Sequence, residues 1–106
     1  MEVFLVNKSG TVNAKGRYDE SNGTITVLKG SIISKNVSGG TFRSADTVKK
    51  LRSNPEQVVG TKVISDMVFK SASTAANFVT GSSTNGLLSW KNKDGVSLKQ
   101  LIAKTE

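Results

Sequence analysis

The chain has 106 residues, 36% of them hydrophobic and 22% charged, which suits one soluble domain with a single ordinary core. Fifteen Lys and Arg against eight Asp and Glu leave a formal charge of +7 and a pI near 9.9, a balance that favours polyanionic partners over acidic surfaces. Cysteine and histidine are both missing, which excludes disulfides, thiolate chemistry, Cys/His zinc sites and histidine-based catalytic triads.

The chain opens with Glu2–Val6, a short apolar run of β-formers that predicts a strand. An acid at position 2 and an apolar run of only four residues do not make a secretory signal. No stretch reaches the roughly 20 apolar residues of a membrane span, so the expected location is cytoplasmic. From Val12 to Glu20, Val12, Ala14, Gly16 and Tyr18 alternate with polar residues, the period of a half-buried strand. Gly16 inside it predicts a bulge or a close backbone approach. Asn22-Gly23 then separates this run from Thr24–Leu28, the signature of a hairpin with a two-residue turn. Ile32 and Ile33 either prolong the sheet or tuck beneath it.

Residues 34–43 read as a polar, glycine-containing loop, after which Ser44 is placed to cap a helix beginning at Ala45. Ala45, Val48 and Leu51 share one face of it. Asp46 suits its first turn, and Lys49, Lys50 and Arg52 suit its negative end. Ser53-Asn54-Pro55 should end or kink it. The short apolar pieces around Val58, Val63 and Met67–Phe69 read as a turn of helix and a strand.

Ala72–Thr80 is the clearest element. Ser71 is its N-cap candidate and Gly81 its left-handed stop. Ala72, Ala75, Ala76 and Val79 form an apolar stripe extended by Phe78, with Ser73, Thr74, Asn77 and Thr80 on the opposite arc. Leu87–Trp90 reads as a strand that turns at Asn92–Gly95. Ser97 and Gln100 form a possible capping box ahead of a short closing helix built on Leu98, Leu101 and Ile102.

Several residues have a chemical reading beside a structural one. Ser71 and Ser73, with Lys70 beside them, could hold a phosphate at a helix start, or serve only as caps. Asn85 could pair with adenine, or belong to an Asn85-Gly86 turn that needs positive φ. Trp90 could stack on a base, or anchor the core. Lys49, Lys50, Arg52, Lys91 and Lys93 could contact phosphates, or form a solvated face. If about four phosphates were neutralised on a duplex, log K would fall against log salt with a slope of about −3.6. Catalytic readings are weaker. Asp19 and Glu20 are adjacent and point to opposite faces of a strand, Gly39-Gly40 lacks a phosphate-loop frame, and Asp46, Asp66 and Asp94 are dispersed.

The pattern of Phe69, Ser71, Ser73, Ala75-Ala76, Val79, Gly81, Ser83, Asn85-Gly86, Trp90, Asp94-Gly95 and Leu98 resembles the bacterial domain-of-unknown-function family 4357. Gly16-x-Tyr18 and Val27-Leu28-Lys29-Gly30-Ser31 resemble that family's opening hairpin, so the likeness spans about residues 14–102. The last segment also resembles the restriction-enzyme adenine-methylase-associated domain. Two positions depart from the pattern: Ala72 stands where the family usually has proline, and Leu87 where it usually has an aromatic that could stack on a base. The resemblance implies an accessory, DNA-directed module associated with a nuclease or a restriction–modification protein. A chain of this length has no room for an attached nuclease, so such a partner is expected to act in trans.

The expectation is therefore a single α+β domain over residues 1–106, an antiparallel sheet of about five strands with two or three helices packed on it. Its expected function is non-enzymatic, without metal or cofactor: a weak nucleic-acid binder using Lys49, Lys50, Arg52, Lys70, Ser71, Ser73, Asn85, Trp90, Lys91 and Lys93. The alternative is a protein-interaction domain whose charge serves solubility.

Overall fold

A computed structural model describes residues 1–35 and 45–103. The first three strands form a meander: β1 (Glu2–Val6), β2 (Asn13–Asp19) and β3 (Thr24–Val27). Successive pairs are antiparallel, with Phe4 opposite Lys15 and Arg17 opposite Thr26. Asp19 pairs with Thr24, so the hairpin loop holds four residues and not the two that Asn22-Gly23 suggests. The loop is set by side chains bonding to nearby backbone. Asp19 accepts the Ser21 N–H at 2.9 Å, and Asn22 accepts the Thr24 N–H at 3.0 Å. The Ser21 hydroxyl, which donates to the same Asp19 oxygen at 2.6 Å, and the Ser21 N–H together hold the Asp19 carboxyl below its ordinary range.

After the meander, Ile32 pairs as a single bridge with Asn13 on one side and Lys62 on the other, while Ile33 is buried. The two isoleucines thus divide the alternatives: one extends the sheet and the other tucks under it. Helix α1 (Ala45–Arg52) follows and ends before Pro55 as expected. Ser44 and the Ala45 side chain lie outside the described residues. Val48 is buried and Leu51 partly so.

Residues 58–69 depart from the expected turn of helix. They form a tight hairpin of β4 (Val58–Val59) and β5 (Lys62–Val63), then β6 (Met67–Phe69). Gly60, at φ +62°, makes the turn between the paired Val59 and Lys62. β6 adds antiparallel to β3 and closes a four-stranded sheet of order β1-β2-β3-β6.

Helix α2 (Ala72–Thr80) has the predicted bounds. The Ser71 Oγ accepts the Thr74 N–H at 3.1 Å, and Gly81, at φ 73°, ends the helix by donating to the Asn77 carbonyl. Its alanines, with Phe78 and Val79, are buried. Asn77, expected on the solvent arc, is buried as well, because its Oδ1 accepts the Thr84 N–H at 2.8 Å and draws the following loop across it. Leu87–Trp90 is not a strand. Gly86–Ser89 is one helical turn, α3, capped by the Asn85 side chain onto the Leu87 N–H at 3.1 Å. Helix α4 (Leu98–Ala103) closes the chain. The molecule is thus α+β, with four strands in the main sheet, two in a small hairpin, and four helices among the described residues. No described helix is long and apolar enough to cross a membrane.

The core lies between one face of the sheet and the helices. Val3, Leu5, Ala14, Ile25, Val27, Met67 and Phe69 alternate inward; β3 and β6 meet α2, where Phe69 and Phe78 sit 5.2 Å apart between ring centroids. Gly16 sits in unbroken register, so it makes no bulge. A Cβ there would approach Trp90 Cζ3 at 3.2 Å, and the glycine leaves room for that ring.

Candidate nucleic-acid interface

Half of the expected site residues are occupied in holding the fold. The Ser71 Oγ takes the Thr74 N–H and donates to Thr74 Oγ1, and the Ser73 Oγ accepts the Gly86 N–H at 3.2 Å. The start of α2 is therefore capped from within and lies against α3, which is the structural reading of both serines and not an open phosphate site. Asn85 is exposed, but its side-chain oxygen caps α3. Gly86 has no positive φ; it is needed because α3 begins directly on the backbone of Ala72 and Ser73. Trp90 is fully buried, with its indole N–H donating to the Ala72 carbonyl at 3.1 Å, and offers no face to a base.

Arg52 is likewise not a free cation. Its Nε donates to the Phe78 carbonyl at 3.0 Å, Nη1 to the Ser34 carbonyl at 2.7 Å, and Nη2 to the Ser34 Oγ at 2.8 Å and the Val79 carbonyl at 3.2 Å. The guanidinium carbon also lies 5.9 Å from the centre of the Phe78 ring. The Phe78 and Val79 carbonyls belong to the last turn of α2, where backbone acceptors lack helical partners and the helix dipole is negative. Burial lowers the Arg52 pKa, yet an arginine remains charged at neutral pH. We expect Arg52→Met, which keeps the stem over Phe78 but removes every donor, to cost about 2 kcal/mol in urea unfolding. An unchanged midpoint would show that the clamp contributes nothing.

Five predicted cations are exposed, but they fall into two groups. Lys49 and Lys50 lie on α1 and Lys70 just after β6. Residues of α1 and Lys70 line the same hollow of about 430 Å³ beside this edge strand, together with Leu51, Gln57 and Met67. Lys91 and Lys93 lie beyond β1, at the opposite edge. Three strand spacings, about 14 Å, separate the edges, so the ten residues do not form one surface.

The open face of the sheet carries a set of cations that local sequence patterns do not single out. Residues directly opposite in an antiparallel pair share a face. Phe4 pairs with Lys15 on one side and, through two backbone hydrogen bonds of 2.6 and 2.9 Å, with Lys91 on the other. A half-buried aromatic thus stands between two exposed lysines. The row on one side of it is Glu2, Arg17, Thr26 and Val68, and the row on the other side is Val6, Asn13, Ile32 and Lys62. Val68 is 70% and Val6 57% exposed, so this face stands in solvent. Lys93 reaches the same region, lining a hollow of about 280 Å³ with Glu2, Phe4, Asn92 and Asp94. Lys15, Arg17, Lys62, Lys91 and Lys93 outnumber Glu2, Asp19 and Asp94 here. Glu2 is bound to Lys15 at 3.2 Å, the one ion pair between described residues.

The alternation that exposes Lys15 and Arg17 is visible in the sequence as the polar partners of Ala14 and Gly16. That Lys91 joins them is not, because nothing local states that residue 91 pairs with residue 4. The carboxylates Asp46, Asp66 and Asp94 belong to α1, to the turn before β6 and to the Asn92–Gly95 turn. Among the described residues, no three acidic side chains gather as a metal site would require.

A family model described as a domain of unknown function (DUF4357) matches residues 4–102. No curated protein and no solved structure matches the chain.

Proposed function

The chain belongs to the DUF4357 family, and on that footing we propose that it is a non-enzymatic module that binds nucleic acid on the open face of its sheet. One observation carries this reading: a solvent-facing sheet with Phe4 set between Lys15 and Lys91, with Arg17 and Lys93 beside them. Cations on a rigid sheet meet phosphates without having to order a loop, and phosphate contact supplies most non-specific affinity. The α1 side is a poorer candidate, since Arg52 is engaged there and Asp46 and Asp66 offset two of its three remaining lysines. Held beside a nuclease or a restriction–modification protein, such a module would keep the polyanion in place.

The test is a fluorescence-anisotropy titration with labelled DNA at two salt concentrations. Lys15→Ala, Arg17→Ala and Lys91→Ala together are expected to weaken binding at least tenfold and to flatten the salt slope by about 0.7–0.9 for each phosphate no longer neutralised. Lys49→Ala, Lys50→Ala and Lys70→Ala together should leave both nearly unchanged. The reverse pattern would move the surface to the α1 side. No binding at low salt would reject the reading.

A second reading, a protein-interaction module, is favoured by the hollow along β6. Five consecutive residues, Asp66–Lys70, line it, so an edge strand lies open there to pairing with an added strand. Absence of DNA binding at low salt would favour this second reading.

A further inference from the structure

We infer that the nucleic acid held on the open sheet face is single-stranded, with one unpaired base lying on the Phe4 ring. This rests on the reading that the open face binds nucleic acid, and adds which form it binds. Phe4 is the aromatic residue of this face among the described residues; Trp90, Phe69 and Phe78 are buried on the other side of the sheet. A phenyl ring among lysines adds nothing to phosphate contact, but it is a platform for a base, because every base has a π-face. In a duplex those faces are stacked inside and cannot reach it.

The hollow beside Phe4 supports the same occupant. Two of its lining groups, Glu2 and Asp94, are carboxylates, which repel a phosphate but accept N–H groups from a base edge. Asn92 is a third polar group. Its Oδ1 already accepts the backbone N–H groups of Asp94 at 3.0 Å and Val96 at 2.9 Å, so its NH₂ is the group with hydrogen bonds to offer. Donor and acceptor groups thus sit in the hollow next to the ring. Lys15 and Lys91, directly across the strands from Phe4, flank the ring where the backbone on either side of a stacked base would pass.

The experiment compares three labelled probes on the intact chain at low salt: a mixed-sequence 12-nucleotide DNA strand, its duplex with the complement, and an abasic strand of equal length. The normal strand should bind about tenfold or more tightly than either of the others, the size of effect one stacked base gives. Phe4→Leu should lose about that factor on the single strand alone and leave duplex affinity unchanged, while Phe4→Tyr should keep it. Equal binding of normal and abasic strands, or of strand and duplex, would overturn the inference and leave the binding reading standing. Failure of all three probes to bind would overturn both. The abasic comparison needs no variant, so it decides the matter even if Phe4→Leu does not fold.

Discussion

Gly86→Ala is expected to destabilise the fold by about 3 kcal/mol or more, the upper part of the range for overpacking. Helix propensity alone argues for the opposite sign, since alanine within a helix is favoured over glycine by up to about 1 kcal/mol. The structure overrules it. A Cβ at position 86 would lie 2.2 Å from both the carbonyl carbon and oxygen of Ala72 and 2.4 Å from the Ser73 nitrogen. All three are backbone atoms of the first turn of α2, so no side chain can swing aside. Relief requires α3 to lift from α2, which breaks the Gly86 N–H bond to Ser73 Oγ and pulls on Trp90 and on the Lys91 pairing with β1. For a domain of this size the loss corresponds to a fall in Tm of roughly 12 °C or more. Thermal or urea unfolding of the single variant is decisive: an unchanged or raised midpoint would mean that the close approach does not exist.

Trp90→Ala should be costlier still, about 4 kcal/mol, within the range for emptying a buried aromatic site. The indole is fully buried, its ring occupies the space that Gly16 leaves on β2, and its N–H meets the Ala72 carbonyl. One side chain therefore ties the sheet to the start of α2. Trp90→Phe separates the contributions. It retains most of the packing and removes the donor, with an expected loss of about 2 kcal/mol from the unpaired carbonyl and the smaller ring. Because Gly86 and Trp90 both act at Ala72, the double variant Gly86→Ala with Trp90→Phe should cost less than the sum of the singles. Strict additivity, or a Trp90→Ala chain with its urea midpoint intact, would deny this shared contact.

Local chemistry made much of the architecture legible. Ser71 and Gly81 bound α2 at the residues where their cap and stop chemistry places them, an apolar run of β-formers located β1, and alternation located β2. The failures also have local causes. Leu87-Leu88-Ser89-Trp90 is apolar and too short for periodicity to separate a strand from a turn of helix. What decides it is Asn85 acting as a cap and α3 resting on α2. Asn22-Gly23 resembles a two-residue turn, but the Asp19 and Asn22 side chains build a longer loop. Arg52, grouped with Lys49 and Lys50 by sequence, differs from them only because α2 brings its carbonyl end alongside.

The candidate interface shows the same division. The basic excess, the alternating strands and the capped helix of small residues follow from the sequence alone, since each depends on residue type and on spacing within a few positions. Which cations share a face does not. It depends on pairings such as Phe4 with Lys15 and Lys91, which join residues far apart in the chain. A register slip of one residue would turn every such side chain to the opposite face. Tertiary structure placed Trp90 in the core, assigned Arg52 to the end of α2 and set Phe4 among lysines, because long-range strand pairing and helix docking, not local preference, determine which groups meet water.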